Sequence, residues 1–130
     1  MSEKKIFYSH EPDSKIMVKK DRAEVNNWTD DLEYINEELE YLLGIEDRVL
    51  NNRQLYLQLH DLRRENQLKL GILYRYEASM RNAIECDTTD CDTFYLHKHE
   101  QNRNVYIDHL KKYRLIKSNV LSKFLLFVKR

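Results

Sequence analysis

The residues best suited to chemistry lie between Glu85 and Glu100, a segment that holds two cysteines, three aspartates and two histidines. Thiolates and imidazoles are the usual ligands of zinc. His97 and His99, however, point about 200° apart on one helix, so both rings cannot easily reach a single ion. We therefore expect a polar turn with two unreactive thiols and two solvated histidines. A metal or thiol site is the weaker alternative, and its candidate ligands are Cys86, Cys91 and His97.

No other arrangement in the chain matches a catalytic or cofactor-binding pattern. A di-iron helical bundle needs Glu-x-x-His pairs, and none of the five histidines has an acid three positions before it. The patterns His-Glu-x-x-His and Gly-x-Ser-x-Gly are also absent. Gly44 and Gly71 are the only glycines, too few for a phosphate-binding loop. The sequence thus predicts a protein without catalytic activity, without a cofactor and without an identifiable small-molecule substrate.

The overall composition favours long helices. Only two glycines and one proline occur in 130 residues, whereas an all-β domain needs turn residues about every 8–12 positions. A hydrophobic share of 42% and a net charge of zero argue against an intrinsically disordered chain. The charged start of the chain and the lack of a long apolar run predict neither a secretory signal nor a membrane span. Such a chain is expected in the cytoplasm, with reduced cysteines.

Apolar residues at steps of three and four predict a first helix from about residue 22. They form one seam: Val25, Trp28, Leu32, Ile35, Leu39 and Leu42. Gly44 would tolerate the conformation that ends a helix, but Asn51-Asn52 offers both a left-handed stop and an N-cap, so we place the turn there. Residues 1–21 show no sustained period and contain the only proline. They are predicted to be a mobile N-terminal arm outside the single domain of residues 22–130.

Two further helices follow from the same periodicity. The second is predicted from Arg53 to about Glu85, and the third from near Asp90 to about Phe127. Asn66 falls on the apolar face of the second helix, and we interpret it as a hydrogen-bonded residue that fixes the register. Short turns between three long helices favour an all-α, up-down-up antiparallel bundle with coiled-coil-like packing.

The zero net charge hides a strong division between the first and third helices. Residues 23–50 contain nine acids and one base, whereas residues 101–130 contain eight bases and one acid. Opposite charges on the flanks of helices favour their pairing. We therefore expect the first and third helices to lie side by side and parallel, with their flanks attracting each other.

The basic third helix also supports an alternative function, a local contact with RNA or a ribosome. Basic groups and rings able to stack on bases share one stretch: Tyr106, Lys111, Lys112, Tyr113, Arg114 and Lys117. A sequence pI near 7.0 lies below the value of about 9 that is usual for nucleic-acid binders. The acidic first helix would also repel a long polyanion.

Protein–protein interaction is the function that the sequence favours. The chain has more aromatic surface than a three-helix interior easily encloses, and its segment 124–128 is apolar on nearly all sides. Tyrosine is also enriched at interfaces. We predict a non-enzymatic helical interaction module that self-associates or docks on another cytoplasmic protein. Its predicted contact residues are Trp28, Tyr34, Tyr41, Phe124, Leu125, Phe127 and Val128.

Overall fold

A computed structural model describes the backbone of residues 2–85 and 89–129, and the side chains of residues 17–80 and 93–129. Three helices cover these ranges: α1 (Ser2–Ile45), α2 (Arg53–Glu85) and α3 (Thr89–Lys129). At its end α1 passes into a single π-helical turn, Glu46–Leu50. No strand occurs in the part of the chain described. The predicted all-α fold with three long helices is confirmed.

Two asparagines form the turn between α1 and α2, as the sequence predicts. Asn51 adopts the left-handed conformation, with φ of 48° and ψ of 51°, and ends the π-helical turn. Asn52 caps α2, because its Oδ1 accepts a hydrogen bond of 3.1 Å from the Leu55 amide. The buried Glu46 carboxylate accepts a second bond of 3.1 Å, from the Asn52 amide. Gly44 consequently lies inside α1 and does not end it.

The first helix begins earlier than its apolar periodicity predicts. α1 starts at Ser2 and so continues through the segment predicted to be an arm. Val18 is buried and stands seven positions before Val25, which extends the apolar seam by one heptad. Arg22 adds a hydrogen bond of 2.9 Å to Glu77 of α2. The predicted start of regular structure near residue 22 is corrected on these grounds, and the mobility of residues 1–21 stays a prediction.

α1 and α2 run antiparallel and bury a common seam. All the predicted seam residues of α1 are buried: Val25, Trp28, Leu32, Ile35, Leu39 and Leu42. A matching row of α2 is buried with them: Leu55, Leu59, Leu62, Asn66, Leu70, Leu73, Tyr76 and Met80. Two ion pairs mark the opposite directions of the helices. Arg22 pairs with Glu77 at 2.9 Å, and Glu40 pairs with Arg63 at 3.4 Å.

α3 packs against both other helices and completes the up-down-up bundle. Against α2 its residue numbers run in opposite directions, since His99 contacts Tyr76 whereas Lys112 contacts Glu65. Against α1 the residue numbers rise together, since His99 contacts Glu24 and Lys117 contacts Glu38. α1 and α3 are therefore parallel neighbours, as their charges predict.

Candidate functional site at the contact between α1 and α3

A repeating row of carboxylates and rings joins α1 to α3. Glu24, Asp31 and Glu38 follow one another at intervals of seven on α1. Their hydrogen-bond partners on α3 have the same spacing: His99, Tyr106 and Tyr113. The two members of each pair are 75 positions apart in the chain. A constant offset at heptad spacing keeps the same faces of two parallel helices together. We call this row the α1–α3 ladder.

Two cations of α3 reinforce the ladder. Arg103 Nη2 donates to Glu24 Oε1 at 2.9 Å, and Lys117 Nζ donates to Glu38 Oε2 at 2.9 Å. Burial alone would raise the pKa of Glu38, but hydrogen bonds from Tyr113 and Lys117 outweigh it and hold the pKa below its usual value. The predicted attraction between the acidic first helix and the basic third helix is found in these contacts.

A group of ionisable side chains surrounds His99. The imidazole is 3% exposed, and its Nε2 lies 2.6 Å from Glu24 Oε1 and 3.6 Å from Asp21 Oδ1. Its Nδ1 lies 2.6 Å from Tyr76 Oη on α2. Tyr95 Oη donates to Asp21 Oδ2 at 2.8 Å. These five residues join all three helices, and we call them the His99 cluster.

The charge states within this cluster follow from its surroundings. Burial, and then the neighbouring Asp21 and Glu24 charges, raise the pKa of Tyr76, while burial and the bond to Asp21 raise that of Tyr95. Both hydroxyls are therefore protonated at neutral pH. A hydrogen bond from Arg103 lowers the pKa of Glu24 and keeps this carboxylate ionised. His99 Nε2 thus faces two carboxylate oxygens, a donor set that suits a divalent transition metal.

A second buried polar group lies at the centre of the bundle. Asn66 is 0% exposed, and its Nδ2 donates to Leu32 O and to Asn36 Oδ1, both at 2.7 Å. Its Oδ1 is left to accept from His109 Nε2 at 2.8 Å. Burial, followed by the charge of Lys69, lowers the pKa of His109 to about 4, so the ring is neutral at pH 7. The amide thus bonds to α1 and α3 together, which fits the register role predicted for it.

Most of the predicted protein-contact residues lie on the surface. Tyr34 and Tyr41 are 61% and 76% exposed. Phe124 is half-buried, and the rest of its group is exposed: Leu125 at 67%, Phe127 at 52% and Val128 at 62%. Trp28, in contrast, is 4% exposed and stacks on Tyr106 with ring centroids 5.3 Å apart. Its place in the seam turns the ring into the bundle, so Trp28 is a core residue and is removed from the contact set.

Much of the predicted RNA-contact set is engaged within the bundle. Tyr113 is 4% exposed, Tyr106 stacks on the buried Trp28, and both hydroxyls bond to α1 carboxylates of the ladder. Lys112 and Lys117 form ion pairs with glutamates of α2 and α1. The two members that are exposed and form no ion pair with another described residue are Lys111 and Arg114.

Most of the predicted cysteine–histidine site lies outside the residues whose side chains the structure describes. The side chains of Cys86 and Cys91 are not among the described residues, and His97 is exposed. His99 is buried, so the interpretation of both histidines as solvated is wrong for His99. The links from His99 to Asp21 and Glu24 are not part of the sequence prediction. The sequence carries acids on α1 and rings on α3 at matching intervals of seven, but these intervals do not give the offset that pairs the two helices.

No protein-family model, curated protein or solved structure matches this chain. Over the residues that the structure describes, no helix has an apolar stretch long enough to cross a membrane. Function is therefore inferred from the geometry of the described side chains.

Proposed function

We propose that this protein is a non-enzymatic, cytoplasmic interaction module that pairs with a second copy through the C-terminal end of α3. The supporting observation is the apolar surface of that end. Four consecutive side chains are largely exposed: Leu125 at 67%, Leu126 at 64%, Phe127 at 52% and Val128 at 62%. A contiguous exposed apolar patch of this kind is typical of an interaction site. We call these four residues the α3 end patch.

The other two helices do not cover this patch, for a reason that lies in the register. Partners in the ladder are 75 positions apart. The same offset, continued toward the turn between α1 and α2, places Asn51 level with Leu126. α1 has ended there, and α2 begins at Arg53 and runs away in the opposite direction. Among the helices that the structure describes, none lies beside the last turn of α3, and a second copy would bury it.

A second exposed surface of the same chain complements the patch. Tyr34 and Tyr41 lie on the outer side of α1 with the exposed Glu37 between them, and the segment 23–50 is strongly acidic. The end of α3 carries Lys123 and Lys129 and contains no acid after residue 108. We call Tyr34 and Tyr41 the tyrosine stripe. If the α3 end of each copy packs on the tyrosine stripe of the other, opposite charges are paired. Such an exchange has two-fold symmetry and forms each contact twice, as a closed dimer requires.

A shallow groove leads from the ladder to the patch. Its lining consists of two basic, two hydroxyl and two apolar side chains of α3: Arg114, Lys117, Ser118, Leu121, Ser122 and Leu125. Lys117 is also bonded to Glu38, so the groove borders the α1–α3 contact. The groove thus extends from the ladder to Leu125 of the α3 end patch.

Sedimentation velocity of the full chain over a wide concentration range tests the proposal. We expect a transition from 15.9 kDa to twice this mass as the concentration rises. Leu125→Glu places a charge in the patch and should weaken pairing at least about tenfold, or about 1.4 kcal/mol. Leu68→Glu is the matched control, because Leu68 is 61% exposed but lies on α2. A monomer at every concentration, or equal weakening by both variants, contradicts the proposal.

RNA contact is the second candidate, and it is favoured by the exposure of Lys111 and Arg114. Binding to phosphates should weaken steeply as salt rises, because counterions are released. The double variant Lys111→Glu, Arg114→Glu should then lose RNA while it keeps the fold. Unchanged RNA affinity in this variant, or the absence of RNA binding at low salt, excludes the candidate.

A further inference from the structure

We propose that Asp21, Glu24 and His99 form a binding site for a divalent transition-metal ion of the zinc class. The three residues come from two helices, and one ligand atom of each lies within 4.8 Å of the others. Asp21 and Glu24 are three positions apart and share a face of α1. His99 projects from α3 between them, with Nε2 toward both carboxylates. The proposal is independent of self-association.

The atoms of these residues that would not bind metal are each held by a different side chain. Tyr76 Oη lies 2.6 Å from His99 Nδ1, and Tyr95 Oη donates to Asp21 Oδ2 at 2.8 Å. Arg103 Nε donates to Glu24 Oε2 at 3.0 Å. Metal-ligating histidines and carboxylates are usually fixed by such outer contacts, which orient the ligand atoms before the ion arrives.

The two distances from His99 to the carboxylates require only a small adjustment. Zinc–ligand bonds of about 2.0–2.1 Å in tetrahedral geometry place neighbouring ligand atoms about 3.3 Å apart. The distance from His99 Nε2 to Asp21 Oδ1 is 3.6 Å, and that to Glu24 Oε1 is 2.6 Å. The second distance has to open by less than about 1 Å. Arg103 Nη2 also donates to Glu24 Oε1 at 2.9 Å, and this bond gives way to the ion.

The donor set and its exposure favour zinc over harder ions. One imidazole and two carboxylates suit a transition metal, whereas calcium takes six to eight oxygen ligands. The side chains of Asp21 and Glu24 are 21% and 33% exposed, which leaves an entry path and room for water as a fourth ligand. In the bound state, neutral His99 would hold the ion through Nε2 and carry its single proton on Nδ1, which donates to Tyr76 Oη.

Zinc titration of the full chain by calorimetry and native mass spectrometry tests this site. The chain carries Cys86→Ser and Cys91→Ser, so that thiols do not contribute. We expect one zinc per chain, and at least about tenfold weaker binding in Asp21→Asn. This variant keeps an oxygen that accepts from Tyr95, and circular dichroism confirms its fold. Asp108→Asn and His97→Ala are the matched controls, because both residues are exposed on α3 and both variants should bind zinc unchanged.

Cobalt substitution adds a readout of ligand type. Cobalt bound by nitrogen and oxygen should show weak visible bands without thiolate charge transfer. We expect this spectrum both in the cysteine-free chain and in the original chain. Equal zinc affinity in Asp21→Asn and its background overturns the proposal, because binding is then adventitious. If the original chain binds one zinc and the cysteine-free chain binds none, the proposal is also overturned, and the ion is assigned to the thiols. No stoichiometric binding by either chain overturns it outright.

Discussion

α2 and α3 both pack against α1, but the two contacts use different chemistry. Across the α1–α2 contact, leucines are fully buried in an aliphatic seam: Leu32, Leu39, Leu55, Leu59 and Leu62. Across the α1–α3 contact, carboxylates of α1 meet a histidine and tyrosines of α3. Apolar burial has no direction, whereas a hydrogen bond depends on angle and distance. The seam therefore supplies most of the stability of the α1–α2 pair. The ladder fixes the position of α3 along that pair.

The largest expected effect comes from the seam. Leu39→Ala leaves a cavity at a site with 0% exposure and should lower the free energy of unfolding by about 3 kcal/mol. Urea denaturation at neutral pH measures the loss, and it should be nearly the same at pH 6 and pH 8. Leu115→Ala is the control, since Leu115 is 73% exposed and its loss should cost little. Similar losses in the two variants would mean that the seam does not dominate.

The buried His109 should make the free energy of unfolding depend on pH in the acidic range. Its pKa is lowered to about 4 from an ordinary value of 6.5, so the unfolded chain binds the proton more readily. Stability from this group is intact above pH 6.5 and falls as the pH drops toward 4, by about 3 kcal/mol in all. Urea denaturation across this range measures the slope. His109→Gln keeps a donor for Asn66 but does not titrate, and an unchanged slope in this variant would contradict the assignment.

The ladder should contribute less, and only while its carboxylates are ionised. Glu38→Gln removes the charge that faces Lys117 and should cost about 1–2 kcal/mol at pH 7. The pKa of Glu38 is held below its ordinary value of 4.5. Its contribution is therefore present above pH 4.5 and disappears as the pH falls through the lowered value.

Thermal denaturation at pH 7 and at pH 3 provides the comparison. The difference between Glu38→Gln and the original chain should shrink at the lower pH. Glu37→Gln serves as the control, because Glu37 is the exposed neighbour. If Glu37→Gln costs as much as Glu38→Gln, the general acidity of α1 matters more than the ladder.

The smallest expected effect lies outside both contacts. Gly44 sits inside α1 without a positive φ, and a Cβ added there would meet nothing within 4 Å. Gly44→Ala should therefore raise the free energy of unfolding by about 0.5–1 kcal/mol, because alanine loses less backbone entropy. A decrease in Tm would show that α1 does not continue through this residue.

The aliphatic seam could be predicted from the sequence, whereas the ladder could not. Leucines at steps of three and four report a buried helical face directly, and Asn51-Asn52 carries a recognisable stop and cap. The pairing of Glu24 with His99 depends on how two distant helices align, and a solvated acid looks the same in the sequence as a buried one. The early start of α1 was missed because a single buried valine, Val18, carries the seam beyond Val25.

Trp28 is a second residue whose environment could not be predicted from the sequence. Its size favours an interface, and its seam position favours the core, and only the fold reveals that the ring lies between His99 and Tyr106. The exposure of the α3 end patch agrees with a segment that is apolar on nearly all sides, because a helix that is apolar all round cannot bury every side against two neighbours.

Hydrogen exchange of the full chain at low and high protein concentration tests the central claim most directly. The proposed dimer predicts that amides of residues 121–129 gain protection as the concentration rises, together with smaller gains at residues 34–41. Amides of the seam, in residues 55–62, should exchange equally slowly at both concentrations. Exchange of residues 121–129 that does not depend on concentration would contradict the proposal that a second copy covers the end of α3.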